Sequence, residues 1–161
     1  MDLFDLDDLI PALGIDPSPE HLEELYQAFK VDFIDNDFFV DGIKVLIDVR
    51  NSKEEGFEAY PHTFVKIVTR GTKGHRNFDR KRANKIHWIK PILENRNTDD
   101  VTCFSYLESD GAIRDYFWFR EGGFLVIMEK ILPDMVIISC FHIDDDRNQL
   151  YYEKRYNDRI I

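Results

Sequence analysis

Apolar positions set two rhythms along the chain. Behind Ser18 and Pro19, Leu22, Leu25, Tyr26 and Phe29 recur at i, i+3, i+4 and i+7, one helical face with a serine N-cap and a proline at the first helical position. Before this helix, residues 3–13 form a short acidic apolar segment interrupted by Pro11 and Gly14. After it, "VDFIDNDFFVDGIKVLIDV" places β-branched and aromatic residues on both sides of Asp41-Gly42, a strong hairpin signal that predicts strands over 31–40 and 43–49. A polar stretch with Gly56 and Pro61 reads as a loop, and "HTFVKIVT" (62–69) returns to strand character.

Next, "RGTKGHRN" has two glycines and no apolar residue and reads as a mobile loop, whereas "FDRKRANKIHWIKPILEN" has Ala83, Ile86, Ile89 and Leu93 at helical spacing. A helix over 78–95 is predicted, kinked or ended near Pro91. Four apolar runs follow at 101–108, 113–119, 124–130 and 135–143, separated by "SDGA", "REGG" and "LPD". Those separators are turn chemistry, and the runs predict an antiparallel meander with the 78–95 helix on one face. Asp144 to Asp146 can cap a last helix rich in tyrosine and charge. The expected class is α+β: a helix followed by a four-stranded antiparallel meander, with an N-terminal helix and β-hairpin and a C-terminal helix. One domain over 1–161 is expected, made of an acidic N-terminal region (1–61) and a core (62–161).

Composition changes this picture through charge. The 161 residues carry a net charge of −10, but residues 61–96 hold ten bases against two acids while residues 1–60 hold sixteen acids against four bases. An overall acidic chain is a poor nonspecific nucleic-acid binder, yet local charge acts over roughly 8 Å in physiological salt, and a local excess of eight positive charges suits a phosphate-binding surface. The plainer reading is a solvated face paired with the acidic third. No apolar run approaches a membrane span, and the start "MDLFDLDDLI" is acidic where a secretory signal is basic, so a cytoplasmic protein without a membrane partner is expected. Cys103 and Cys140 are far apart and outside any CxxC pair, which predicts two reduced core thiols. The five histidines show no metal-ligand spacing, so no metal and no cofactor is expected.

No P-loop, dinucleotide fingerprint, GxSxG or HExxH is present. In "IRDYFWF", period 2 puts Arg114, Tyr116 and Trp118 on one face. Guanidinium beside aromatic rings on an open sheet suits single-stranded RNA, and the alternative is that the rings cover a helix while Arg114 pairs with an acid.

The segments "FVKIVTRG", "FDRKRANKIHWIKPILEN", "IRDYFWF", "FLVIMEK", "VIISCFHID" and "YEKRY" resemble a family of phage-associated, toxin-type proteins assigned to the barnase, EndoU, colicin and RelE-like nuclease fold. The resemblance covers residues 62–159, and its most specific run is "RAxxIxWIKPxxEN", Arg82 to Asn95. Family members often have a histidine where Lys66 stands and a threonine where Ser139 stands.

The resemblance implies a metal-independent endoribonuclease of toxin type. Such chemistry needs a base for the 2′-hydroxyl, an acid for the 5′-oxygen and cations for the phosphorane. Lys66 or His62 is the candidate base. Arg70, Lys90 and Arg114 are candidate phosphate clamps, and Ser139 a hydrogen-bond donor to phosphate. Lys73, Arg76, Arg80, Lys81, Arg82, Tyr116 and Trp118 are the candidate RNA contacts. Implied partners are RNA, ribosome-associated or tRNA, and an antitoxin or immunity protein. Two other readings stand beside this one: a catalytically inactive RNA- or ribosome-binding module, and a protein-interaction domain of a mobile element.

Overall fold

A computed structural model describes residues 2–161. The fold is α+β, with five α-helices and a mostly antiparallel arrangement of strands. In chain order these are α1 (Pro19–Phe33), β1 (Phe39–Val40), β2 (Ile43–Val45), α2 (His62–Val68), β3 (Thr69–Thr72), β4 (His75–Phe78), α3 (Arg80–Ala83), α4 (Ile89–Glu94), β5 (Thr102–Leu107), β6 (Ile113–Phe119), β7 (Phe124–Ile131), β8 (Asp134–His142) and α5 (Asp146–Asn157). Three-residue 3-10 turns lie at Leu3–Asp5 and Ile86–Trp88.

The four last strands pair antiparallel in chain order, but they do not stand alone as the expected meander. They belong to a six-stranded sheet of order β1-β2-β8-β7-β6-β5. The β1–β2 hairpin turns at Asp41 and Gly42, both at positive φ, as a two-residue Asp-Gly turn requires. It then joins the sheet through a parallel pair, Lys44 with Asp134 and Val45 with Met135. A separate two-stranded hairpin, β3–β4, stands outside this sheet.

Each sheet face buries its own apolar set, as period 2 dictates. Phe117, Phe119, Phe124, Val126, Met128 and Ile137 face a core completed by Leu25 and Phe29 of α1, Phe64 and Ile67 of α2 and Ile89 and Ile92 of α4. Phe104, Tyr116, Trp118, Leu125 and Ile127 face Tyr152 of α5.

Several expectations are corrected. The strand predicted over 31–40 is mostly helix and turn, because α1 continues to Phe33, and the strand over 43–49 shrinks to Ile43–Val45. Residues 62–68 are helical rather than extended. The buried positions Phe64, Val65, Ile67 and Val68 follow i, i+1, i+3, i+4, so packing on one helical face outweighs the strand propensity of valine and isoleucine. The expected loop 70–77 is the β3–β4 hairpin, turned at Gly74 (φ 81°). Gly71 is obligatory there, since its φ is 120° and a Cβ would stand 2.6 Å from the His75 carbonyl oxygen.

The single helix over 78–95 is three short pieces. Asn84 ends the first by turning its amide to the N-terminal segment, accepting from Ile10 N at 2.7 Å and donating to Ile10 O at 2.9 Å. Pro91 lies in the opening turn of α4, where a missing N–H costs little. Cys103 is an exposed thiol rather than a core one; Cys140 is buried, and both are free.

The acidic N-terminal segment is built into the fold. Leu3, Ile10 and Leu13 are buried, Trp88 Nε1 donates to Asp7 O at 3.0 Å, and Lys85 pairs with Asp8 at 2.9 Å. Asn84→Ala leaves the buried Ile10 amide and carbonyl without their partner. With an unmatched buried group costing about 1–3 kcal/mol, chemical denaturation should show a lowered midpoint with an unchanged slope.

Candidate functional site

The polar stretch that precedes α2 is laced to it. His62 N donates to Arg50 O at 2.7 Å, Ser52 N to Tyr60 O at 2.8 Å, and Asp48 N to the Thr63 hydroxyl at 2.9 Å. This fixes segment 48–54 along the start of the helix. From the far side, the β3–β4 hairpin reaches the same segment, its Gly74 N donating to Glu54 Oε1 at 2.8 Å. Between the two runs a cleft of about 240 Å³ lined by Ser52, Glu54, His62, Val65, Lys66, Lys73 and Arg76. It continues into a depression of about 400 Å³ that adds Asp48, Arg50, Asn51 and Lys53.

His62 and Lys66 are one helical turn apart on α2 and both line the cleft. Lys66 is half-buried. Burial, and then the neighbouring charges of Arg76 and Arg114, hold its ammonium below the usual lysine value, while Glu129 acts in the opposite direction. Asp48, at the outer end, is chelated by Arg50 through Nε at 2.9 Å and Nη2 at 2.7 Å, and this pairing draws its carboxyl down to about 2. Five cations line the joined depressions against two carboxylates, Asp48 and Glu54.

Arg76 holds the cleft together. Its Nε donates to the Thr69 hydroxyl at 2.8 Å, Nη1 to Gly71 O at 2.8 Å, and Nη2 to Lys66 O at 3.0 Å and Thr69 O at 2.7 Å. Its hydrogen bonds are therefore spent on the Thr69 hydroxyl and on the backbone around the α2–β3 junction, and its charge is what acts in the cleft.

The structure unites some of the candidate residues and separates others. His62, Lys66, Lys73 and Arg76 line one cleft, and Arg114 stands close enough to lower the Lys66 pKa while donating to Glu129 at 3.0 Å. Ser139, half-buried on β8, lies opposite Ile127 on the sheet face that carries Arg114 and Glu129. Arg70 projects from the opposite face of the hairpin to Arg76 and lines a different groove together with Arg82. Lys90 is elsewhere, its ammonium 5.7 Å over the Phe38 ring and beside Asp32. Arg80 is exposed, and Lys81 pairs with Asp144.

Tyr116 and Trp118 do not form an open stacking platform. Their exposures are 1% and 0%, because α5 covers them: Tyr116 stacks on Phe104 at 4.7 Å and bonds Glu108, and Trp118 lies under Arg120 at 4.0 Å. Arg50, Ser52, Lys53 and Glu54 were not singled out in the sequence. They sit in an aperiodic polar loop, and only its lacing to α2 brings them to the cleft.

Among the described residues no group of three or more histidine, cysteine or acidic side chains is placed to hold a metal, and no helix is long and apolar enough to cross a membrane. Comparison of the chain with models of protein families, with characterised proteins and with solved structures gives no match.

Because the Lys66 pKa is lowered in the folded state, the unfolded chain binds more protons between that value and 10.5. Its contribution to stability therefore rises with pH across that window and is lowest when the ammonium is charged. Lys66→Met should remove this rise, read as a smaller gain in denaturation midpoint from neutral to alkaline pH than the native protein shows.

Proposed function

We propose that the cleft between α2, the 48–54 segment and the β3–β4 hairpin binds single-stranded RNA and cleaves it without a metal. The observation that carries the reading is Lys66: a half-buried amine with a lowered pKa, one turn from His62, in a depression rich in cations. A general base works best when its pKa approaches the ambient pH, and burial and like charge move a lysine in that direction. In this reading Lys66, as the free amine, or His62 takes the 2′-hydroxyl proton. The 2′-oxygen then attacks phosphorus, the P–O5′ bond breaks, the other residue returns a proton to the 5′-oxygen, and a 2′,3′-cyclic phosphate results. Lys53, Lys73 and Arg114 offset the charge that gathers on the non-bridging oxygens. The toxin-type nuclease resemblance supports the same chemistry, as does the run of short helical pieces followed by antiparallel strands. Cellular RNA, ribosome-bound or transfer RNA, is the proposed substrate.

One observation favours binding without cleavage. Arg76 and Arg114 already donate to the backbone and to Glu129, so fewer donors are free for a phosphorane than the cation count suggests.

The test is incubation of the purified protein with total RNA in EDTA, with the cut ends mapped. Cleavage leaving cyclic phosphate is expected, rising with pH as Lys66 loses its proton. His62→Ala and Lys66→Ala should each slow it by ~10²–10⁴-fold. Intact RNA that still binds with salt-dependent affinity would replace the nuclease by an RNA-binding module.

A further inference from the structure

A second depression lies on the other side of the hairpin. It is a groove of about 910 Å³ between β3, the end of β8 and the first turns of α5. Its charged lining includes Arg70, Arg82, Arg147, Asp79 and Asp145 beside His142, and its apolar part includes Phe141, Ile143, Tyr151 and Tyr152.

Both carboxylates have structural work. Asp79 caps α3 by accepting from Arg82 N at 3.1 Å, and Asp145 caps α5 by accepting from Asn148 N at 2.7 Å. Asp144, next to the groove, is paired with Lys81. The side chains of Arg70 and Arg147 are exposed and have no carboxylate or hydrogen-bond partner among the described residues. Arg82 is different. Only 4% exposed, it donates Nη1 to Thr69 O at 2.7 Å, lies 4.7 Å over the Phe141 ring, and has a buried Nε without a hydrogen bond, Asp79 being 3.8 Å away. That Nε is enclosed and faces the Asp79 carboxylate across an ion pair, so Arg82 lends the groove its charge rather than a free donor.

The apolar part complements it. Tyr151 is half exposed but fixed in place, with Arg155 4.6 Å from its ring and bonded to its hydroxyl at 2.6 Å, and Tyr152 5.0 Å away edge-on. A fixed, exposed ring in a groove with two unpaired guanidinium groups is what a nucleotide needs, since a base stacks on the ring while its phosphate takes charge-assisted hydrogen bonds.

We propose that this groove binds one nucleotide of a single-stranded RNA, with the phosphate held by Arg70 and Arg147 beside the buried Arg82 charge and the base laid against Tyr151. The assignment rests on the proposed function only in taking RNA as the ligand. Cleft and groove are the two sides of one thin wall, so a strand crossing the hairpin engages both.

The test uses the full chain and two probes: a 2′-O-methyl octanucleotide, which cannot be cleaved by 2′-hydroxyl attack, and free adenosine monophosphate. Arg70→Glu and Arg147→Glu change exposed side chains and spare Arg82, which the hairpin needs. Each should weaken octanucleotide binding roughly tenfold and reduce its salt dependence by about one phosphate contact. Lys154→Glu makes the same charge change on α5 outside the groove and should leave the affinity as it was. Octanucleotide affinity that depends on Lys66 and Lys73 but not on Arg70 or Arg147 would overturn the groove and leave the cleft reading intact. Weakening by the two arginine variants, in a protein that leaves RNA uncut and is indifferent to Lys66→Ala, would uphold the groove while the nuclease reading fails. Amide shifts at Arg70 and Tyr151 on adding the mononucleotide, with no effect of the arginine variants on the octanucleotide, would overturn RNA as the ligand in favour of a free nucleotide.

Discussion

Two guanidinium groups converge on one carbonyl oxygen, that of Thr69, and the cleft and the groove both depend on it. Arg76 reaches it from the cleft side and Arg82 from the groove side, each at 2.7 Å. Thr69 itself is fully buried, its hydroxyl donating to Val65 O at 2.6 Å while accepting from Arg76. Two like charges against one acceptor repel, and burial together with the Arg82 charge draws even the Arg76 pKa downward. Such an arrangement persists only where the surrounding backbone is over-determined. Here the α2–β3 junction, the close approach at Gly71 and the Asp79 cap of α3 supply that determination. The hairpin is thereby set as a fixed partition.

How far this was legible in the sequence follows the range of the forces involved. Strands β5 to β8 are specified locally, by period-2 apolar runs cut by glycine, proline and aspartate, and their pairing follows those runs closely. The Asp41-Gly42 turn is local in the same way. Residues 62–68 are where locality fails. Valine and isoleucine favour a strand, but Phe64 and Ile67 enter a core that only distant elements complete, and the segment coils. The hairpin 69–78 has almost no apolar content to reveal it, because its stability comes from Arg76 bonds to its own backbone and from Glu54.

The site shows the same division. His62 and Lys66 could be paired from sequence because a separation of four residues shares a face in a strand and in a helix alike. Both residues therefore line one cleft although 62–68 is a helix and not the expected strand. Tyr116 and Trp118 share a face as period 2 requires, but which face is covered is decided by α5, a helix that begins beyond the strands. Nothing local distinguishes a stacking platform from a helix seat. Arg50, Lys53 and Glu54 reach the cleft only through a loop's backbone hydrogen bonds, for which a sequence has no periodic signature.

The parallel join of β2 to β8 sets an order of assembly. Parallel neighbours cannot be made by a hairpin and must wait for a long crossover to close, which slows folding. Lys44 and Val45 are synthesised early, yet their partners Asp134 and Met135 belong to the last strand. The chain from β2 to α2, including the 48–54 wall of the cleft, therefore has no sheet to lean on until the meander is complete. A nascent chain carries the cationic segment long before it carries the cleft. The 48–54 wall is seated only once the final strand has taken its place.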